Sequence, residues 1–485
     1  MTLLKSIRIK FFLLGFLFFG QISSSYANSE LRSIEKKFDR VLLLFEGILF
    51  FLGMGIAFGV LFWNRLVIFR IIRRGKNFLT NRLLYFFPGA LSNHSRPYLT
   101  VFGFVFMADG WGKIGVEFIQ TLKNEVSINF VRTRGKYVFA NVPQDVKKII
   151  KTKNPLIGKV ALFTDCVWDS SDQPFLEKIK TAADANQIRI AYSMFETTKI
   201  PPMWTSVLNR YFDAVAVPDP FLVGTYRNSG VNLPIFTLPL NVNLSNFWSL
   251  PLKNKKQSPM VFADFSVFAQ RKNHLTLIRA FAQVFGNNPN VMLRLNGRSS
   301  ENHWDQVIRK EIQILGLKNV RLTLQRLLFK DYLELFQTID CYITLSKGEG
   351  FSIPPREAMA LGIPVICADN TALNTICQTG LVRSVPALSL EPAYYHWPGK
   401  YYYGNQFNCT VEDAANAMKD VFDNYDDYLN RAQAARQWTI NCNHQTLMPL
   451  YRSLIKPSKV ILGAENHLTA DYLMTNSRKL YQKYL

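Results

Sequence analysis

Residues 349–368 constrain the fold more than any other part of the sequence. They read EGFSIPPREAMALGIPVICA. Two adjacent prolines suit the entry of a helix, because their φ is preset and the first N–H groups of a helix have no partner within it. The pattern predicts a helix that begins near Arg356, carries Glu357 in its first turn and ends at Gly362. The apolar run that follows is typical of a parallel strand buried on both faces.

Two carboxylates flank this helix entry, Glu349 on the loop and Glu357 on the helix. A helix N-terminus approached by a glycine offers free N–H groups and about half a positive charge, which suits a phosphate group. A carboxylate at that place accepts hydrogen bonds from hydroxyl groups instead, such as the ribose diol of a nucleotide. For the bare spacing there is a simpler interpretation, in which Glu357 is an acid favoured by the helix dipole and Glu349 is a solvated loop residue.

The sequence beyond residue 96 alternates short apolar runs with helical stretches, which indicates parallel sheets covered by helices on both faces. Residues 240–259 contain turn residues and no periodicity, and we interpret them as the connection between two α/β halves. Ligands of such sheets bind at the carboxyl ends of the strands, so the cleft between the halves is the expected site. The candidate strands are YLTVFGFV, SINFVRT, KVALFTD, IRIAYSM, AVAVP and IFTLPL before the connection, and MVFADF, VMLRLNG, VRLTLQ, CYITLS and PVICAD after it.

The N-terminal segment differs in composition from the rest of the chain. Residues 1–27 combine early basic residues, an apolar run and small residues at cleavage spacing, which indicates a signal peptide or, alternatively, a first membrane helix. Residues 41–63 form a second apolar run long enough to cross a bilayer. Residues 64–95 form a basic linker, and the positive-inside rule places everything after residue 64 in the cytoplasm.

The formal net charge of +22 is large for this length of chain. Nucleic-acid binding would account for it, but the sequence contains no zinc finger, no RNP-type aromatic motif and no basic helix followed by heptads. The basic residues are spread along the chain, with one concentration beside the second apolar run, where anionic lipids would attract them. The six cysteines form no C-x-x-C pair and are typical of isolated thiols in a reducing compartment.

The 349–368 stretch resembles the signature E-G-F-x-x-P-x-x-E-A-M-A-x-G-x-P-V-I of retaining glycosyltransferases of the GT-B fold, specifically family 4, the group 1 glycosyltransferases. A second resemblance lies after the strand MVFADF, where the family pattern F-x-x-D-F-x-S-x-x-x-R-K-N is matched. The resemblance implies two Rossmann-like domains that face a cleft. They are an acceptor domain over 96–245 and a donor domain over 259–430, and residues 431–485 form helices that cross back and a tail.

The resemblance also implies roles for the donor-side residues. Arg271, Lys272 and backbone N–H groups would stabilise the leaving diphosphate, Glu357 would hold the ribose, and Glu349 would contact the donor sugar near the reacting carbon. A nucleotide sugar is then the co-substrate, with no metal or other cofactor. The complete donor-side set is Arg271, Lys272, Asn273, Glu349, Gly350, Phe351, Ser352 and Glu357.

The acceptor-side candidates are Glu196, Asp165, Gly110 and Gly112. Glu196 lies in YSMFETTKIPPMW, which resembles a family segment, and Trp204 in the same segment is either an acceptor contact or a packing residue. The two glycines follow the first strand. Asp165 ends KVALFTD and stands in for the catalytic histidine that many relatives place in this half.

These patterns predict a membrane-anchored retaining glycosyltransferase that acts on a hydroxyl of a glycan or lipid-linked acceptor, with its catalytic part facing the cytoplasm and no nucleic-acid partner. Hydrolysis by two carboxylates is a second possibility, but it requires two acids that face one bond, whereas Glu349 and Glu357 follow a single loop and helix entry. A non-catalytic membrane scaffold that binds a glycan or nucleotide is a third. The sugar, base, acceptor and oligomeric state are left open.

Overall fold

A computed structural model describes residues 97–455 except 108–109, 135–136, 153, 155, 166–186 and 396–400. These residues lie in one compact unit, His94–Leu485. They contain two six-stranded parallel sheets, one after the other along the chain, and a two-stranded hairpin. The predicted α/β fold with parallel sheets is confirmed.

The first sheet has the strand order β2-β1-β3-β4-β5-β6. Each of its strands falls within one of the six apolar runs that the sequence marks before the connection. The strands are β1 (Leu99–Gly103), β2 (Ile128–Arg132), β3 (Val160–Phe163), β4 (Ile188–Tyr192), β5 (Ala214–Val217) and β6 (Ile235–Thr237). The helices described between them are α1 (Gly110–Leu122), α2 (Gln144–Lys151), α3 (Pro202–Tyr211) and α4 (Pro220–Asn228), and α5 (Ser245–Trp248) follows in the connection.

The second sheet has the strand order β12-β11-β10-β7-β8-β9. Its last strand in sequence, β12, was not predicted. The strands are β7 (Met260–Asp264), β8 (Val291–Gly297), β9 (Val320–Leu324), β10 (Cys341–Thr344), β11 (Val365–Asp369) and β12 (Arg383–Pro386). The accompanying helices are α6 (His274–Phe285), α7 (Trp304–Ile314), α8 (Phe329–Gln337), α9 (Ile353–Ala360) and α10 (Asn374–Cys377).

An antiparallel hairpin and three helices complete the described chain. The hairpin pairs β13 (Ser389–Tyr395) with β14 (Tyr401–Asn408) and was not predicted. The helices are α11 (Val411–Asp423), α12 (Tyr425–Trp438) and α13 (His444–Ile455).

Helix α13 packs against the first half of the chain. The hydroxyl of Tyr451 accepts a hydrogen bond from the backbone N–H of Asn241 at 2.9 Å and donates one to the carbonyl oxygen of Pro239 at 3.0 Å. Arg452 on the same helix forms an ion pair with Glu125 at 3.1 Å. The C-terminal helices therefore tie the second sheet to the first.

The central strands are buried along their whole length, as in β3, β5 and β10. This burial is expected for parallel strands covered on both faces, and it explains why the sequence marks them as continuous apolar runs. The five described cysteines are buried free thiols, and Cys166 lies outside the described residues. In the described part of the chain, every helix is too short or too polar to cross a bilayer. The predicted segments 1–27, 41–63 and 64–95 lie outside that part.

Candidate functional site

The helix that follows Glu349 begins earlier than predicted. Helix α9 starts at Ile353, with Ser352 as its N-cap, so Glu357 lies in the second turn and no acid lies in the first. The prediction of a start near Arg356 is therefore wrong. Both prolines lie in the first turn. Residues there need no backbone N–H group, because the first N–H groups of a helix have no partner within it, and the fixed φ of proline suits a helix. The predicted end at Gly362 is confirmed, since this glycine has a φ of 69° just past the helix.

The backbone leading into α9 is strained and is held by a buried arginine. Ser352 has a φ of 63°, a value that costs a residue with a side chain about 1–3 kcal/mol and is common at functional sites. The guanidinium of Arg356 donates to the carbonyl oxygens of Ser352, at 2.7 Å, and of Phe351, and it lies 3.9 Å from the centre of the Phe351 ring. Arg356 is 2% exposed. It thereby holds the carbonyl oxygens of this turn in place.

Four charged side chains form a cluster beside this turn, and we call Glu196, Arg271, Lys272 and Glu349 the charged cluster. Lys272 Nζ forms an ion pair and hydrogen bond with Glu349 Oε1, and Arg271 Nη1 lies 3.4 Å from the same oxygen. Arg271 Nη2 lies 3.3 Å from Glu196 Oε1. Glu196 comes from the loop after β4 in the first half, so Arg271 joins carboxylates from both halves.

Glu349 in the charged cluster is buried and ionised. Its whole residue is only 7% exposed, which contradicts the solvated-loop interpretation. Burial alone would raise its pKa, but Lys272 and Arg271 outweigh burial and hold the pKa of Glu349 below its usual range. Burial alone would likewise lower the pKa of Arg271, and Glu196 and Glu349 raise it instead. The site is thus electrostatically organised around a buried carboxylate.

The loop that carries Glu349 is in close contact with the first half at Gly348. A Cβ atom at Gly348 would overlap the carbonyl oxygen of Glu196. The carbonyl oxygen of Gly348 accepts a hydrogen bond from Arg271, and the N–H of Glu349 donates to Thr371 Oγ1 at 2.8 Å. Only glycine allows this approach, so residue 348 belongs to the site although sequence reasoning missed it.

Glu357 lines a separate cavity between the two halves. Its Oε2 accepts a hydrogen bond of 2.7 Å from the hydroxyl of Tyr332, and its Oε1 lies 3.8 Å from Lys113 Nζ on α1. The cavity has a volume of about 130 Å³. Its polar lining consists of Lys113, Glu117, Gln120, Asn141, Asn241, Asn243, Asn246 and Glu357. Glu357 is therefore placed to offer a carboxylate to a polar ligand in the cleft.

We expect the buried Glu117 in this cavity to make stability pH-dependent. Burial raises the pKa of Glu117 to about 7, and Lys113 opposes this shift only in part. The folded protein then binds the proton more tightly than the unfolded chain. The free energy of unfolding is expected to fall as pH rises from 5 to 8, by about 2–3 kcal/mol from this group. Denaturant unfolding at pH 5 and pH 8 measures this decrease in the free energy of unfolding. Glu117→Gln should remove the part of the decrease that comes from Glu117.

Glu334→Gln is the matched control, because Glu334 is an exposed carboxylate on α8. It should leave the pH dependence as in the parent protein. An identical pH dependence for Glu117→Gln and the parent would contradict the assignment. Lys113, Glu357 and Tyr451 are the other titratable groups around Glu117, and all are retained in both variants.

The structure places the remaining donor-side residues around the charged cluster. Asn273 has a φ of 60° at the start of α6, and its amide donates to Asn408 Oδ1 at 2.9 Å. Phe351 is buried under Arg356, and Gly350 faces Met194 of the first half. Roles for Asn273, Gly350, Phe351 and Ser352 in binding a ligand stay predictions.

The acceptor-side candidates are more scattered than the donor-side ones. Asp165 is buried and pairs with Thr133 and, at 2.9 Å, with Arg134. Gly112 lies against the backbone of Phe106, and Gly110 opens α1. Of this set, Glu196 belongs to the charged cluster through its ion pair with Arg271. Functional roles for Asp165, Gly110 and Gly112 stay predictions.

Trp204 is 2% exposed, and its ring packs edge-on against Phe195 at 5.3 Å. Of the two interpretations of Trp204, packing is the one that the structure supports.

Sequence reasoning missed three side chains that organise the site. They are Arg356 at the turn, Tyr332 on Glu357, and Tyr395, whose hydroxyl donates to Glu196 Oε2 at 3.2 Å. Arg356 was visible inside the signature but was treated as a variable position. Tyr332 carries no signal beyond the pattern of an amphipathic helix. The tyrosine-rich run AYYHWPGKYYY around Tyr395 was a signal, but it matches no part of the family signature.

Residues 251–380 match the family model of the glycosyl transferases group 1. This region contains β7 to α10 and hence Arg271, Lys272, Glu349 and Glu357. Together with the fold, the match supports a group 1 glycosyltransferase. None of the curated proteins matches the sequence.

Solved structures match the described fold over three quarters of the chain. Sucrose-phosphate synthase of Thermosynechococcus elongatus is 16% identical with a TM-score of 0.55, and a glycosyltransferase of Rickettsia africae is 15% identical with a TM-score of 0.54. HepE of Anabaena, solved with UDP and glucose, is 13% identical with a TM-score of 0.51. Each match covers 75% of this chain and 100% of the other. These similarities place the two sheets in the GT-B fold.

Within the described residues, no group of three or more histidine, cysteine or acidic side chains is arranged to hold a metal ion. Independence from metals stays a prediction.

Proposed function

We propose that this chain is a glycosyltransferase that moves a sugar from a nucleotide-sugar donor to a hydroxyl of an acceptor, with retention at the anomeric carbon. The observation that carries the proposal is the charged cluster, in which Arg271, Lys272 and Glu349 lie within the region that matches group 1 glycosyl transferases. The HepE structure contains UDP and glucose, and we extend a nucleotide-sugar donor to this chain.

Departure of the nucleoside diphosphate is the step that this cluster would assist. Negative charge grows on the diphosphate as its bond to the sugar breaks, and fixed cations stabilise such charge without having to reorganise. Arg271 and Lys272 are held in place by Glu349 and by the carbonyl oxygen of Gly348 before any ligand arrives. The backbone N–H groups at Gly350–Ser352 would add dipoles beside the helix N-terminus.

The carboxylates would orient the donor. Glu349 sits between both cations and would contact a sugar hydroxyl near the reacting carbon. Glu357 would accept hydrogen bonds from the ribose diol, because one of its oxygens is already oriented by the hydroxyl of Tyr332. Lys113, at 3.8 Å, compensates the charge of Glu357 from the opposite half. The chemistry needs no metal in this proposal.

The acceptor and the location are proposed from the sequence. The apolar run at 41–63 and the basic residues of 64–95 support an anchor in the inner membrane with the catalytic part in the cytoplasm. An anchored enzyme has ready access to lipid-linked or envelope glycans, and we propose such an acceptor. The anchor is tested by membrane fractionation. We expect the full chain in the washed membrane fraction, and we expect it to leave that fraction when residues 41–63 are deleted.

The proposed activity is tested with the full chain and a panel of nucleotide sugars. A selective donor at 100 times its dissociation constant should add about 2.7 kcal/mol to the free energy of unfolding. The same donor, alone or with acceptor sugars, should release nucleoside diphosphate in the presence of EDTA. Proton NMR of the first product should show the anomeric configuration of the donor. Inversion would overturn the retaining mechanism, and loss of release in EDTA would overturn the metal-free one.

Glu349→Gln is the decisive variant for the proposed site. It keeps the size of the side chain but removes the charge that holds Arg271 and Lys272. We expect at least about tenfold slower release of nucleoside diphosphate, since the carboxylate contributes charged hydrogen bonds. Equal rates of nucleoside diphosphate release by the variant and the parent would contradict the proposed role of Glu349. Binding of a nucleotide sugar without any release of nucleoside diphosphate would favour the non-catalytic scaffold.

A further inference from the structure

The β13–β14 hairpin joins the two halves of the cleft. One part of it is bound to the loop after β4, which carries Glu196. The backbone N–H of Thr198 donates to the carbonyl oxygen of Asn405 at 3.0 Å, and the N–H of Asn405 donates to Thr198 Oγ1 at 2.8 Å. Thr197 Oγ1 donates to the carbonyl oxygen of Tyr403 at 2.7 Å. This edge of the hairpin is thereby fixed to the first half.

The other part of the hairpin is bound to the loops that carry Arg271 and Glu349. The backbone N–H of Phe407 donates to the carbonyl oxygen of Lys347 at 2.8 Å, and Lys347 Nζ forms an ion pair with Glu391. Asn408 Oδ1 accepts from the amide of Asn273 at 2.9 Å. The hairpin therefore contacts every loop that contributes a charge to the cluster.

Tyr395 carries this contact into the charged cluster itself. Its hydroxyl donates to Glu196 Oε2 at 3.2 Å, while Glu196 Oε1 lies 3.3 Å from Arg271 Nη2. The ring of Tyr395 is held between Phe195 and Tyr403, with centroids 5.2 Å and 5.9 Å away. Burial, with the charge of Glu196, raises the pKa of Tyr395 well above its usual value, so the hydroxyl keeps its proton. Both oxygens of Glu196 are thus engaged, one by each neighbour.

We propose that Tyr395 is a positioning residue for the transfer reaction, since it holds Glu196 in the orientation that turns Arg271 toward the leaving diphosphate. The inference rests on the proposed function. One edge of the Arg271 guanidinium is fixed by Glu349 and Gly348, and Glu196 fixes the other. Without the Tyr395 hydroxyl, Glu196 can rotate away, and the second nitrogen of Arg271 loses its anchor. The unpredicted hairpin is then a component of the site.

The test is Tyr395→Phe in the full chain. The ring packing stays, and the hydroxyl is lost. We expect kcat for donor consumption to fall about tenfold, the size expected for one hydrogen bond to a charged group, while the KM of the donor changes less than twofold. Tyr402→Phe is the matched control on the same hairpin, because its ring is 66% exposed, and it should keep the kcat of the parent.

A double-mutant cycle with Glu196→Gln separates positioning from packing. If Tyr395 acts through Glu196, Tyr395→Phe should change kcat less than twofold in the Glu196→Gln background. A tenfold loss in both backgrounds, or no loss in either, overturns the proposal. If the parent protein turns over its donor and Tyr395→Phe is equally active, only the role of Tyr395 is contradicted. If the parent protein neither binds nor consumes any nucleotide sugar, the proposed function is contradicted together with the role of Tyr395.

Discussion

Replacing Lys272 with alanine is expected to lower kcat for sugar transfer by about 10²- to 10³-fold, the usual effect of removing one preorganised group that stabilises transition-state charge. Lys272 contacts Glu349 directly, and in the proposed function it faces the leaving diphosphate. Its loss removes a cation from a buried site and also leaves Glu349 with Arg271 as its remaining partner in the cluster. The measurement is single-turnover release of nucleoside diphosphate at saturating donor.

Lys330→Ala is the matched control, because it removes the same charge from an exposed position on α8. It should leave kcat unchanged. Lys272→Arg should recover only a small part of the rate, since the planar guanidinium does not reproduce the position of the ammonium group. If Lys272→Ala kept more than half of the parental kcat while folded, the assignment of this lysine to the diphosphate would be wrong.

The second large effect is expected on stability, at Arg356. Methionine has a similar length and no charge, so Arg356→Met keeps most of the packing but leaves the carbonyl oxygens of Phe351 and Ser352 without their donor. Each buried acceptor that loses its partner costs about 1–3 kcal/mol, and we expect the free energy of unfolding to fall by about 3 kcal/mol. The shift of the urea midpoint at constant m-value measures it.

Arg452→Met provides the comparison for Arg356→Met, since the Arg452 side chain is 56% exposed and pairs with Glu125 at the surface. Surface ion pairs of this kind contribute little to stability. Equal midpoints for the Arg356 and Arg452 variants would show that the strained turn does not depend on the buried guanidinium. A normal midpoint together with lost activity would instead assign Arg356 a direct role in the reaction.

The central strands were predictable because they are buried on both faces and therefore appear as continuous apolar runs. The start of α9 was not, because two prolines fit equally well before a helix and in its first turn, and only the backbone settles which. The fold and the donor-side charges could thus be read from local patterns.

Contacts between distant segments left no local pattern. Arg271 and Glu196 meet across the cleft, and nothing in the spacing of the two residues indicates it. Gly348 is one glycine among 26, and a glycine is needed there because a side chain would overlap the carbonyl oxygen of Glu196. The hairpin strands do not alternate regularly between apolar and polar residues, and backbone groups of β14 bind both halves of the fold. Sequence reasoning therefore found the charges and missed what orients them.

The charged cluster contains two cations and two carboxylates, so its formal charges cancel. A pocket built only from arginine and lysine would attract any small anion, including inorganic phosphate. In the proposed function, Glu196 and Glu349 stay in contact with the two cations as built-in counter-ions. The charged cluster itself is therefore expected to give a small anion little net attraction, and selectivity has to come from the other contacts of the donor.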